Sequence, residues 1–156
     1  MRALRRFVLP LLLLCVSVAS PALAEPKEEV KCEKANARIV DARVTKGCSS
    51  PNKFCAAGTV KGDRGLTYFR LDGVATGPAT APGTKGTSGV LVYTTKNGTL
   101  TVRESGLSGL GDFFTSFQQV LEGTGEFAAA TGHMWVLGQK VGDHFDSEVT
   151  GVLCKK

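Results

Sequence analysis

Side chains that could bind or activate a small molecule alternate along two segments of this sequence. Tyr68, Arg70 and Asp72 form the first set, and the second set is His144, Asp146, Glu148 and Thr150. Alternate residues of a β-strand lie on one face, so either set would build a charged pocket if its face pointed inward. We favour the alternative, in which both sets meet water and the interior is filled by Thr67, Phe69, Leu71, Phe145, Val149 and Leu153.

Two neighbouring charges and the tryptophan add further candidates. Arg103 and Glu104 are adjacent and lie on opposite faces of a strand, so whichever points inward needs a polar partner. His133 and Trp135 share a face, and an indole inside a barrel is a flat wall for an apolar ligand, although it is more often simply core. The candidate ligand-binding residues are therefore Trp135, Tyr68, Arg70, Arg103, Glu104 and His133. No G-x-S-x-G motif is present, so we assign no catalytic residue and propose no hydrolase.

Strands must position these side chains, because short alternating segments recur along the chain and no sustained helical period appears. Strands are predicted over 36–45, 54–61, 65–74, 88–95, 99–105, 113–121, 132–140 and 143–153. Asn97-Gly98 is a strong hairpin signal, and the other links are also short. The sequence thus predicts an all-β fold, an eight-stranded antiparallel up-and-down barrel whose closure removes exposed edges.

Two segments rich in glycine are predicted to be loops. Residues 76–87 (TGPATAPGTKGT) have little to bury and form either a flexible connection or a lid over a cavity mouth. Residues 106–111 (GLSGLG) lack the lysine of a phosphate-binding loop, so we do not expect nucleotide binding.

The N-terminus has the form of a secretory signal peptide, with an arginine-rich start, an apolar run and the small-residue site Ala22-Leu23-Ala24. We expect cleavage after Ala24, rather than lipid attachment at Cys15, because bulky Leu14 precedes that cysteine. The remaining chain divides into a charged leader (25–35) and a single barrel domain (36–156), exported to the periplasm or beyond. Loss of three arginines lowers the formal net charge from +5 to +2, and no basic stripe for nucleic acid remains.

Four cysteines remain after the signal, an even number suited to disulfides in an oxidising compartment. Cys48 and Cys55 flank a turn-rich segment and are predicted to pair. Cys32 would then pair with Cys154 and clasp the first strand to the last. Zinc is the alternative, but there is no C-x2-C pair and both histidines lie far along the chain, so we expect no metal and no cofactor.

The run GTGEFAAATG (residues 123–132) predicts a tight turn, because its glycines allow backbone angles that side chains forbid. Its structural positions are Gly123, Gly125, Phe127 and Gly132. With the export signal and the strand count, this run resembles the allene oxide cyclase and dirigent superfamily of eight-stranded barrels. Dirigent proteins have a similar Gly-Gly-Thr-Gly-Lys-Phe followed by Ala-Arg-Gly, where this chain has Glu122 for the first glycine and Glu126 for the lysine.

The specific part of the resemblance covers residues 118–138 and the last strand. It implies a barrel that cyclises a fatty-acid epoxide, steers phenoxy-radical coupling, or, as in many exported bacterial members, has no assigned activity. One fold hosts many activities, so three functions stay open. The leading hypothesis is non-catalytic binding of a small apolar or aromatic molecule. The others are a cyclase- or dirigent-type isomerase and a fully packed structural or surface-interaction module.

Overall fold

The computed structural model describes residues 29–62 and 64–156, so the predicted signal peptide and the first part of the leader lie outside the described residues. The described chain forms eight strands and one short turn of 3₁₀ helix at Gly125–Phe127. The strands are β1 (Lys31–Val44), β2 (Cys55–Val60), β3 (Gly65–Thr76), β4 (Lys85–Thr95), β5 (Gly98–Leu110), β6 (Phe113–Gly123), β7 (Thr131–Val141) and β8 (His144–Lys155). No helix in this part of the chain is long and apolar enough to cross a membrane.

Each strand pairs antiparallel with the next, and β1 pairs with β8, so the sheet closes into a barrel. The predicted fold class is confirmed. Closure gives every strand two hydrogen-bonded neighbours, although the short β2 pairs only with residues 39–44 of β1 and 65–70 of β3.

Both predicted disulfides are confirmed. Cys32 and Cys154 are direct register partners across the β1–β8 seam, and their bond closes it at one end. Cys48 and Cys55 bond across the β1–β2 connection. Two disulfides in one small domain are consistent with an oxidising compartment.

The core follows from side-chain alternation, because one face of each strand points into the barrel. Met134 and Val136 of β7 are buried, whereas their neighbours Trp135 and Leu137 are exposed. The favoured orientation of β3 and β8 is also confirmed. Thr67 and Val149 are buried, and Phe69, Leu71, Phe145 and Leu153 either line the interior or pack on the core.

Three predicted boundaries are wrong. Strand β1 begins at Lys31 inside the predicted leader, because its backbone continues the ladder with β8 even though its side chains are charged and exposed. Residues 106–110 are strand and not loop, since β5 pairs with β4 as far as Ser108 and with β6 as far as Leu110. Strands β3 and β4 extend further than predicted, so the predicted loop 76–87 is reduced to residues 77–84. The two ends of this loop are joined by a hydrogen bond that the Gly77 N–H donates to the Thr84 carbonyl at 2.9 Å.

The glycine run forms the predicted tight turn between β6 and β7. Gly125 has φ +58°, and a Cβ there would collide with the Asn97 carbonyl oxygen. The Glu126 N–H donates to that same carbonyl at 3.0 Å, and the Thr124 hydroxyl accepts the Thr99 N–H at 3.0 Å. The turn therefore fastens onto the β4–β5 hairpin and covers one end of the barrel.

Removing the seam disulfide should destabilise the barrel more than removing the short one. In the chain-entropy model, a link closing a loop of 122 residues is worth up to about 5 kcal/mol, against roughly 2.5 kcal/mol for the short link. Urea unfolding of C32A/C154A and C48A/C55A measures both losses. Equal losses, or a larger loss for the short link, would contradict the assignment of the seam as the main constraint.

Candidate functional site

The barrel is packed at one end and hollow at the other. Buried side chains fill the end near the glycine turn, including Leu100, Val102, Ala130 and Met134. Toward the β5–β6 hairpin lies a cavity of about 420 Å³, and exposed residues around it, including Lys85, Asp112 and Lys140, show that it reaches the surface there. Side chains therefore do not fill the interior, whereas a fully packed structural module would require a filled one.

Four phenylalanines form the apolar wall of this cavity. Phe54 packs edge-on against Phe69 and Phe145, with ring centroids 6.4 and 6.0 Å apart, and Phe114 packs on Phe145 at 6.0 Å. Gly89 makes room for one ring, since a Cβ there would come within 2.6 Å of Phe69. These edge-to-face contacts hold the rings in place and leave apolar surface facing the cavity.

The floor of the cavity is polar. The Tyr93 hydroxyl donates to Gln118 Oε1 at 2.8 Å, and Gln118 Nε2 donates to Glu104 Oε2 at 2.7 Å. Asp41 also lines the cavity and accepts a short hydrogen bond from the Thr67 hydroxyl. Gln118 is only 1% exposed, so its hydrogen bonds fix the floor in one arrangement.

The two carboxyl groups of the floor lie in a low-dielectric environment. Burial raises the pKa of Asp41 and that of Glu104, and the charge of Asp41 raises the pKa of Glu104 further. Burial also raises the pKa of Tyr93, which stays a neutral hydroxyl donor. Among the described residues that line the cavity, the lysines and arginines are Lys85 and Lys140, both exposed at its mouth.

Of the six candidate binding residues, Glu104 lines the cavity and the others do not. Arg70 and Arg103 point outward and hold Asp72 between them, at 2.9 and 2.8 Å. Slight burial raises the pKa of Asp72, but these hydrogen bonds lower it below its ordinary value. Tyr68 also faces outward, and its hydroxyl donates to the Gly47 carbonyl at 3.2 Å.

The expectation that Trp135 forms an interior wall is wrong. Trp135 is 58% exposed and packs outside the barrel on Phe117, with ring centroids 4.9 Å apart, and His133 stacks on the same ring at 5.8 Å. Trp135 lies outside because side chains alternate along β7 and the inward positions belong to Met134 and Val136.

The polar set of β8 also faces outward. Asp146 pairs with Arg38 through two hydrogen bonds, of 2.8 and 2.5 Å. The hydrogen bonds from Arg38 lower the pKa of Asp146, although partial burial opposes them. Glu148 and Thr150 are exposed.

Sequence reasoning missed most of the polar floor, namely Asp41, Tyr93, Ser116 and Gln118. A signal existed for two of them. Asp41 lies two residues after Ile39, and Gln118 lies four residues after Phe114, so each shares a strand face with an apolar residue that points inward.

Comparisons of the chain with protein-family models, with curated proteins and with solved structures found no match.

The position of Trp135 predicts that cavity ligands leave its fluorescence unchanged. Trp135 is the only tryptophan in the chain, so emission reports this position alone. We expect the emission of an exposed indole, quenched readily by acrylamide and unaltered by a saturating aliphatic ligand without absorbance. A blue shift on ligand addition would instead place the ligand at the outer face of β7.

The buried carboxyls predict a stability difference that depends on pH. Because folding raises the pKa of Glu104, the contribution of this residue to the stability of the wild type falls as pH rises from the ordinary value near 4 to the raised folded value. Glu104→Gln removes this loss, so its stability relative to the wild type should increase across that range and then level off. Urea unfolding at several pH values measures this, with the exposed Glu148→Gln as control. An equal trend in both variants would contradict the assignment.

Proposed function

We propose that this protein binds a small, mainly apolar molecule in the hollow end of the barrel, with the aromatic wall holding its body and the polar floor holding one polar group. The cavity itself is the observation that carries the proposal. Its volume of about 420 Å³ lies within the usual range for ligand sites, as does the combination of apolar walls with a few converging polar groups.

We further propose that the protein acts outside the cytoplasm. The N-terminal signal pattern and the two disulfides support this location. Membership of the allene oxide cyclase and dirigent superfamily stays a prediction, and the binding proposal does not depend on it.

Filling the cavity tests the proposal. Ala56 points into the cavity and is 4% exposed, whereas the next residue, Ala57, faces outward. N-phenyl-1-naphthylamine, a neutral dye that fluoresces in apolar surroundings, should bind the wild type and Ala57→Leu alike. Ala56→Leu should bind it about tenfold more weakly, on the scale of an overpacked side chain. Thermal unfolding checks that each variant is folded, and equal dye binding by all three proteins would contradict binding in this cavity.

Isomerisation of a bound molecule is a second candidate, favoured by the two carboxyls of the floor. General acid–base catalysis needs groups with a pKa near the working pH, and burial shifts Asp41 and Glu104 in that direction. In this alternative, one carboxyl oxygen would take a proton from the bound molecule and the other would return one.

Proton exchange separates catalysis from binding. Molecules that remain on protein purified from its own host are identified by native mass spectrometry and then incubated with the protein in deuterated water. Deuterium incorporation that D41N/E104Q abolishes would support the isomerase. Binding without incorporation would support the non-catalytic function.

A further inference from the structure

We propose that the molecule bound in the cavity is an organic amine, whose ammonium group lies on the floor among Asp41, Glu104 and Ser116. This inference rests on the proposed function, because it names the chemical class of the ligand for the same cavity. Three observations carry it: the acceptor atoms that remain free on the floor, the direction of the hydrogen bonds within the floor, and the two carboxyl groups of the floor with no cation beside them.

The floor offers three acceptor atoms that the described residues leave unused. Glu104 accepts from Gln118 through Oε2, and Asp41 accepts from Thr67 through Oδ1, so each carboxyl keeps a second oxygen. Ser116 lines the same cavity, is 4% exposed, and has a hydroxyl without a hydrogen-bond partner among the described residues. Although Ser116 lies near enough to Glu104 to favour its charged form, the two do not form a well-aligned hydrogen bond.

A buried hydroxyl group without a hydrogen-bond partner costs free energy, so a ligand group that forms a hydrogen bond with it is favoured. An ammonium group has three N–H donors and no acceptor. It can therefore donate one hydrogen bond to each of the three atoms, while the Ser116 hydroxyl keeps its own hydrogen directed toward Glu104.

The hydrogen bonds of the floor all run toward the carboxyl groups. Tyr93 donates to Gln118, Gln118 donates to Glu104, and Thr67 donates to Asp41. Each series of hydrogen bonds thus ends on a carboxyl group that lines the cavity. A ligand that supplies donors continues this order, and one that supplies only acceptors does not.

The floor holds two carboxyl groups and, among the described residues that line the cavity, no cationic side chain beside them. The charge of Asp41 disfavours the charged form of Glu104, and the lysines that line the cavity, Lys85 and Lys140, lie at its mouth. A cation between the two carboxyls would relieve this repulsion, whereas a carboxylate or phosphate would add to it.

Three probes of one shape test the ligand class: 2-(1-naphthyl)ethylamine, 2-(1-naphthyl)ethanol and 3-(1-naphthyl)propanoate. Calorimetry on the mature protein at pH 8 should give the amine about tenfold or more tighter binding than the alcohol, the scale of charge-assisted hydrogen bonds. The propanoate should bind most weakly.

Variants locate the preference. D41N/E104Q keeps the shape of the floor but removes its charge, and it should reduce the advantage of the amine over the alcohol to about threefold or less while retaining binding of the alcohol. Ser116→Ala should weaken binding of the amine more than that of the alcohol. Glu148→Gln removes a carboxylate from the exposed outer face and should leave the preference unchanged. Thermal unfolding confirms that each variant is folded.

Equal or tighter binding of the alcohol or the propanoate would overturn the amine assignment and leave the binding function standing. A preference for the amine that survives in D41N/E104Q would also overturn it, since the cation would then bind elsewhere. Failure of all three probes to bind the folded wild type would instead count against the binding function itself.

Discussion

The ladder between β1 and β8 sets the register of the closed barrel. It runs from the pair Lys31–Lys155 to the pair Ala42–His144 and closes the barrel. Because side chains alternate, a slip of one residue would turn Asp41 to the outside and Val40 or Ala42 to the inside. The bond between Cys32 and Cys154, which are partners in this ladder, holds that register at the seam.

Closure alone would give a packed barrel, and the pattern of large and small inward residues explains why one end is hollow. Gly58 lies opposite Asp41, and a Cβ at that position would collide with the carboxyl group. Gly138 gives the same clearance to the ring of Phe114. Small residues thus let large groups lie against the barrel wall, so that the centre stays open.

The floor places two carboxyls where an apolar interior would be more stable. Removing such groups from water costs free energy, and the hydrogen bonds from Gln118 and Thr67 recover only part of it. A packed barrel does not need this arrangement, whereas a site that selects a polar group does. Under the proposed function, Asp41 and Glu104 are the residues at which fold stability is given up for ligand selection.

Local chemistry explains which features the sequence predicted. The Asn97-Gly98 hairpin, the glycine turn and the Cys48–Cys55 link depend on neighbouring residues, and the closed barrel followed from strand number. The interior face of β7 could not be predicted, because both of its faces are apolar, with Trp135 on one and Val136 on the other. The polar floor joins β1, β3, β4, β5 and β6, so only the register of the closed sheet brings it together.

The position of a bound molecule distinguishes binding in the hollow end from binding on the outer face of the barrel. Nuclear Overhauser contacts can be recorded between 2-(1-naphthyl)ethylamine and the isotope-labelled protein. Binding in the hollow end should give contacts from the naphthyl protons to the rings of Phe69 and Phe114, and from the methylene next to the amine to Ser116 and Gln118. Contacts confined to Trp135 and Phe117 would place the molecule on the outer face of the barrel and contradict it.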